Sequence, residues 1–214
     1  GLSATQLQDV TKVLQNDNSK VSLKQTYVVE PYIGAKALKN SIIAIILSFV
    51  FILIYVWLRF KKISGLAAGV TGLIALFHDV LVVFFVFCVA GISLNDSFVA
   101  VVLTIIGYSI NDTIVLYDRI RENRRNYPER MEGSQYMEIV DISTSQTMVR
   151  SINTSVTTGM CILIILLAAV VFSIPSIYCF ALPMFFGIIS GCYSSVCIAG
   201  TLWAVFEKNK KERK

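Results

Sequence analysis

The stretch GYSINDTIVLYDRIRENRR, Gly107 to Arg125, decides how the chain is read, because it sets a carboxylate inside a segment of membrane-spanning character. From Ser97 the chain runs through Phe98, Val99, Val101, Val102, Leu103, Ile105, Ile106, Ile110, Ile114, Val115 and Leu116 before it meets Asp118, Arg119 and Arg121. That is roughly 20 residues, the length a helix needs to cross a bilayer. Counted back from Arg119 at about 1.5 Å per residue, Asp112 lies on the order of 10 Å inside. At 100° per residue, Thr104, Tyr108, Ser109, Asn111 and Asp112 share about half the circumference, with Val102, Ile106 and Ile110 toward the other side. An ionisable side chain at that depth costs several kcal/mol unless it faces a bundle interior or water, so it marks a pathway for ions or substrate.

The rest of the chain has the same character. It has 214 residues, 55% of them hydrophobic, and a mean hydropathy of +0.68, which excludes an ordinary soluble domain. Five continuous apolar stretches, about 40–58, 65–90, 97–117, 152–172 and 178–206, are long enough to span, and none alternates as a barrel strand would. The expected fold is therefore all-α, a polytopic membrane bundle of five transmembrane helices.

The net charge of +5 is not spread as a nucleic-acid binder would spread it. Arg59, Lys61 and Lys62 follow the first span, Arg119, Arg121, Arg124, Arg125 and Arg130 the third, and Lys208, Lys210, Lys211, Arg213 and Lys214 the fifth. The loops Gly91–Asp96 and Ser173–Ile177 carry no Lys or Arg. The positive-inside rule then puts the basic segments and the C-terminus in the cytoplasm, and residues 1–39 outside. Cys88, Cys161, Cys179, Cys192 and Cys197 lie in or beside the spans in no zinc-ligand pattern, and read as small apolar packing residues. No Gly-rich phosphate loop occurs, so ATP is not the expected energy source; no cofactor, metal or enzymatic activity is expected.

Residues 1–39 are polar. Ser3 could cap a short helix with Val10, Val13 and Leu14 on its apolar face, and Val21–Val29 reads as a strand. These cannot form a core alone, so 1–39 reads as the tail of an external domain, 40–206 as the bundle and 207–214 as a basic tail. In the second span Gly65, Gly69 and Gly72, with Ala68 and Ala75, form a close-packing face that runs on to Asp79. His78 and Asp79 are either a buried pair holding helices in register or a step in a proton relay. In the fourth span Arg150, Asn153, Thr154, Thr157 and Thr158 fall at i, i+3, i+4, i+7 and i+8, a single polar stripe. If that stripe faces the third span, Arg150 and Asp112 meet at similar depth; alternatively Arg150 only snorkels to phosphate. In the fifth, Gly187, Gly191, Ser195 and Ala199 make a small-residue seam.

GYSINDTIVLYDRIREN closely resembles the fourth transmembrane helix of the SecF family, accessory subunits of the bacterial Sec protein-export machinery. VVEPYIGAKALKNSIIAI (28–45), GLAAGVTGLIALFHDVLVVFF (65–85), RSINTSVTTGM (150–160) and GIISGCYSSVCIAG (187–200) resemble the same family, over about residues 28–205. Cys192, Pro183 and the short SIPSI loop depart from its pattern. The resemblance implies spans two to six of a six-span bundle, with one span and most of an extracytoplasmic domain before residue 1. It also implies a bacterial cytoplasmic-membrane location, a SecD-like subunit, the SecYEG translocon and unfolded exported preproteins as partners, and the proton gradient as energy source. Asp112, Arg150, Asn153, Thr154, Asn111, Asp79 and His78 are then the candidate proton-coupling residues. A non-conducting scaffold and an exporter of small molecules or ions, of the related resistance-nodulation-division class, are the rival readings.

Overall fold

The computed structural model describes Val10, Lys12, Val13 and residues 31–128, 131 and 133–212. Residues 1–43 and 44–214 form two compact units. Val10, Lys12 and Val13 are helical; the rest of the short helix and the strand expected at Val21–Val29 lie outside the described residues.

The described residues are helical, with no strand among them. Helix α1 (Pro31–Arg59) is followed by a 3-10 turn at Lys61–Ile63, α2 (Gly65–Val89) and α3 (Asp96–Asn123). After a second 3-10 turn at Arg124–Asn126 come α4 (Gly133–Val171) and α5 (Pro175–Tyr193), which passes through a π-helical turn (Ser194–Ala199) into α6 (Gly200–Glu212). Five helical stretches are long and apolar enough to cross a membrane: Ile42–Arg59, Gly65–Val89, Asp96–Asn126, Gly133–Val171 and Pro175–Lys210. Each overlaps one of the five expected from hydropathy, though the third runs on past 117 to Asn126 and the fourth begins at Gly133 rather than near 152. The last is one span bent through the π turn, with Pro183 buried inside it.

Local chemistry explains where the helices begin and end. The Asn95 side chain accepts the Ser97 amide at 3.0 Å and caps α3, and Pro175 opens α5 where its missing N–H costs nothing. α2 stops in a Schellman turn: Gly91 takes φ +65°, the Ile92 amide bonds the Phe87 carbonyl and the Gly91 amide that of Cys88. α4 ends the same way with Ser173 in the left-handed position, φ +53°.

α3 is the central helix of the bundle; α2, α4, α5 and the π turn all pack on it. The most apolar window of α1 is only 6% buried against 44% for α3, so α1 turns most of its aliphatic residues away from the other helices. The small-residue seams act as expected. A Cβ on Gly187 would stand 2.7 Å from Ile105 Cγ1 and 3.0 Å from Val83, so only glycine lets α5 lie this close to α2 and α3. α4 has 39 residues, about 58 Å, and outruns a hydrocarbon core of about 30 Å. Its first turns pack on α6, where Tyr136 meets Trp203 edge-on at 6.0 Å.

The basic segments gather at one end. Trp203 Nε1 donates to the Ile63 carbonyl at 2.9 Å, Arg59 and Arg121 bond Asp118 at 3.1 and 2.6 Å, and both guanidiniums flank the Phe60 ring. Asp118 thus has the border ion pairs its neighbours imply. All five cysteines are free, but they are not packed in the interior as expected: Cys88, Cys161 and Cys197 are exposed, Cys179 and Cys192 half-buried. At membrane depth lipid is as apolar as a protein core, so a thiol gains nothing by turning inward.

Candidate functional site

Three carboxylates are buried among the described residues, Glu207 on α6 at the basic end and, on the central spans, Asp79 and Asp112, whose surroundings differ sharply. Asp79, on α2, is fully enclosed. Its Oδ2 accepts from Ser109 Oγ on α3 at 2.6 Å and from Ser194 Oγ, the first residue of the π turn, at 2.7 Å. Its Oδ1 accepts from Ser190 Oγ on α5 at 2.7 Å and has His78 Nδ1 at 3.3 Å. Ser195 extends the cluster, donating to the Ser109 carbonyl at 3.1 Å and lying 3.1 Å from Thr113 Oγ1. In a plain α-helix Ser194 and Ser195 would point about 100° apart. The wider π turn brings both hydroxyls into the core, and such turns recur at functional sites.

Asp112, on α3, is 5% exposed, and its Oδ2 is buried with no hydrogen-bond partner. The Ser151 hydroxyl and the Arg150 guanidinium, both on α4, are the polar groups that act on the carboxyl. Leaving a buried acceptor unpaired costs about 1–3 kcal/mol, and more for a charged one. One turn away, Tyr108 Oη donates to Ser155 Oγ at 2.9 Å; toward the basic end Asn123 Nδ2 donates to Ser143 Oγ at 2.9 Å. The α4 side of this contact is Ser143, Thr147, Ser151, Ser155 and Gly159, small residues repeating every four, a signal visible in the sequence but overshadowed by the neighbouring charged stripe.

A cavity of about 320 Å3 opens beside this pair at the basic end, lined by Tyr55 and Arg59 of α1, Ile114, Val115, Asp118, Arg119 and Glu122 of α3, and Gln146, Thr147 and Arg150 of α4. Asp112 is not in its wall. Arg150 is, so the residue whose charge acts on the Asp112 carboxyl also borders the cavity. No ion pair among the described residues joins the two.

The other expected residues fall in two places. Asp79 and His78 stand together, the imidazole half-exposed behind the buried carboxylate. Asn111 and Asn153 are exposed, and Thr154 is half-buried with its hydroxyl returned to the Arg150 carbonyl at 2.9 Å. Of the Arg150–Thr158 stripe only Thr158 bonds α3, at Tyr108, while Arg150, Asn153 and Thr157 lie on the open flank; Ser151 and Ser155 supply the other polar contacts to α3. The division of α3 into a polar inner and an apolar outer face also fails. Val102, Ile106 and Ile110 are buried and Thr104 and Asn111 exposed, because neighbours pack on both sides of this central helix.

Comparison with known proteins identifies the fold and the family. The family described as "Protein export membrane protein SecD/SecF, C-terminal" matches residues 9–209. The protein translocase subunit SecF of Rickettsia bellii (strain OSU 85-389) is 40% identical over 185 residues, 86% of this chain and 57% of that one. SecF of Rickettsia felis is 37% identical over 195 residues, 91% and 59% of the two chains. Among solved structures, SecDF of Thermus thermophilus, a translocon-associated membrane protein, superposes with a TM-score of 0.77 at 33% identity, over 96% of this chain and 27% of that one. SecDF in its super-membrane-facing form gives 0.73 at 30% identity, over 99% and 27%. The chain thus spans under two thirds of the length of these SecF relatives. The chain belongs to the C-terminal family of SecD/SecF protein-export membrane proteins, as a multi-pass subunit of SecF type.

Proposed function

We propose that this chain is the membrane part of a translocase subunit that uses the proton-motive force to assist protein export, with Asp112 as the group that takes up and releases the proton. One observation carries the reading: Asp112 is a buried carboxyl with an unpartnered oxygen, within the electrostatic reach of Arg150, which lines a cavity at the basic end. Ionised, that oxygen lacks donors; protonated, the group needs fewer and can itself donate. Arg150 keeps its charge throughout, so its pull on Asp112 changes with each proton that arrives or leaves. Moving one charge through the full membrane potential supplies roughly 2.3 kcal/mol per 100 mV, enough to bias two packings of α3 against α4. The basic end is assigned to the cytoplasm and the Gly91 and Ser173 loops to the outside. The open flank of Asn111, Arg150, Asn153 and Thr157 would be costly against lipid and suits a SecD-like subunit. The SecYEG translocon and unfolded preproteins are the further partners, in the bacterial cytoplasmic membrane, and the proton gradient takes the place of a cofactor.

The test is Asp112→Asn in the full-length protein, reconstituted with its SecD-like subunit and the translocon. Precursor translocation should lose its gradient-dependent component. Export that stays near wild type would instead make the bundle a scaffold whose buried polar groups only set helix register, and an ion flux without precursor would favour the exporter reading.

A further inference from the structure

The proton step proposed for Asp112 makes no use of Asp79, although Asp79 is the more elaborately held of the two carboxylates. Each of its oxygens already has two partners, and three of the four are serine hydroxyls that donate. One fully enclosed carboxyl thus ties α2 to α3, to α5 and to the π turn.

Its reach along α3 is the informative part. Ser109 precedes Asp112 by three residues and Thr113 follows it, so the cage grips α3 on both sides of Asp112. Ser109 and Asp112 project about 60° apart on the helix, so a turn of α3 that carried Asp112 away from Ser151 would first break the 2.6 Å bond to Asp79. The same carboxylate holds Ser194 at the head of the π turn, whose neighbour Ser195 closes on Ser109 and Thr113.

We infer that Asp79 is a positioning residue: its saturated carboxylate locks the rotation of α3 and the π turn of the last span, and so presents Asp112 to Ser151 and Arg150. Its consequence for export rests on the reading of Asp112 as the proton site. The titratable groups around the two carboxylates are Arg150 from α4, Tyr108 from α3, His78 from α2, and Cys192 and Tyr193 from α5. None of these belongs to the serine cage except His78.

A hydrophobic carbodiimide, which modifies protonated carboxyls, distinguishes the roles. The full-length protein with its partner subunit, in lipid vesicles, is labelled across a pH series and the modified residue identified by mass spectrometry. Wild type should label at Asp112 with a defined pH midpoint and not at Asp79. Asp79→Asn, Ser109→Ala and Ser194→Ala should each move the Asp112 midpoint, the first by about one pH unit, a tenfold change in proton occupancy at fixed pH. Should Asp79→Asn fail to assemble, the two serine variants decide. Label on Asp79 in wild type, or an Asp112 midpoint unmoved in the variants that assemble, overturns the proposal. An Asp112 that labels at no pH sinks the proton-site reading and this proposal together. A moved midpoint combined with normal export by Asp112→Asn sinks the proton-site reading and leaves the positioning role standing.

Discussion

A buried carboxylate survives at membrane depth by collecting donors, and Asp79 and Asp112 show the two ends of that range. Asp79 draws one hydroxyl from each of three chain segments, whereas Asp112 has Ser151 and an oxygen left over. Ser190→Ala leaves Asp79 Oδ1 with only the long contact to half-exposed His78. It should therefore cost about 1–3 kcal/mol, seen as a lower unfolding temperature in detergent. Ser48→Ala, which removes a hydroxyl bonded only to its own helix carbonyl at 2.8 Å, should change the unfolding temperature little. The presence of an acid within a span at Asp112 was legible because a lone acid in an apolar run is a local feature. The donors of Asp79 were not, since serines count as small packing residues until the fold shows three of them turned on one carboxylate.

Among the elements, the apolar part of each span was legible because a bilayer imposes length and apolarity on every turn. What escaped was the rotation of helices without a small-residue seam, α3 above all. Hydropathy marks residues that avoid water, and both lipid and the bundle interior satisfy them, so Val102 and Ile106 turned inward while the aliphatic face of α1 turned outward. Small-residue seams carry better information, since close approach is needed only against protein. Gly187 and Gly159 give a matched test. An added Cβ meets Ile105 at 2.7 Å at the first and nothing within 4 Å at the second. Gly187→Ala should destabilise the bundle by about 1–3 kcal/mol through overpacking. Gly159→Ala should stabilise it by up to about 1 kcal/mol through helix propensity. Thermal unfolding of the two in the same detergent checks both signs. The π turn had no such signal, because the sequence SSVCIA carries nothing that distinguishes it from an ordinary apolar helix.

For the molecule as a whole, the pairing of basic segments at one end and of Schellman turns at the other predicts its sidedness. In sealed vesicles with the native outside facing out, Asn95→Cys should react with a membrane-impermeant maleimide, and Asn126→Cys only after permeabilisation; the reverse pattern would invert the proposed topology. The five native cysteines must first be replaced, since three of them are exposed in the chain. The serine cage also sets a timetable for biogenesis. Ser190 and Ser194 lie 111 and 115 residues after Asp79. At about 5–20 residues per second, the ribosome takes roughly 5–25 seconds to supply them. For that interval the nascent α2 carries a carboxyl without its donors, and an unpaired polar group is costly in hydrocarbon. It is therefore expected to linger at a wet, protein-lined insertion site until the last span arrives, so that the helices enter lipid as a group and a ribosome stalled before Ser190 leaves α2 still cross-linkable to its insertase.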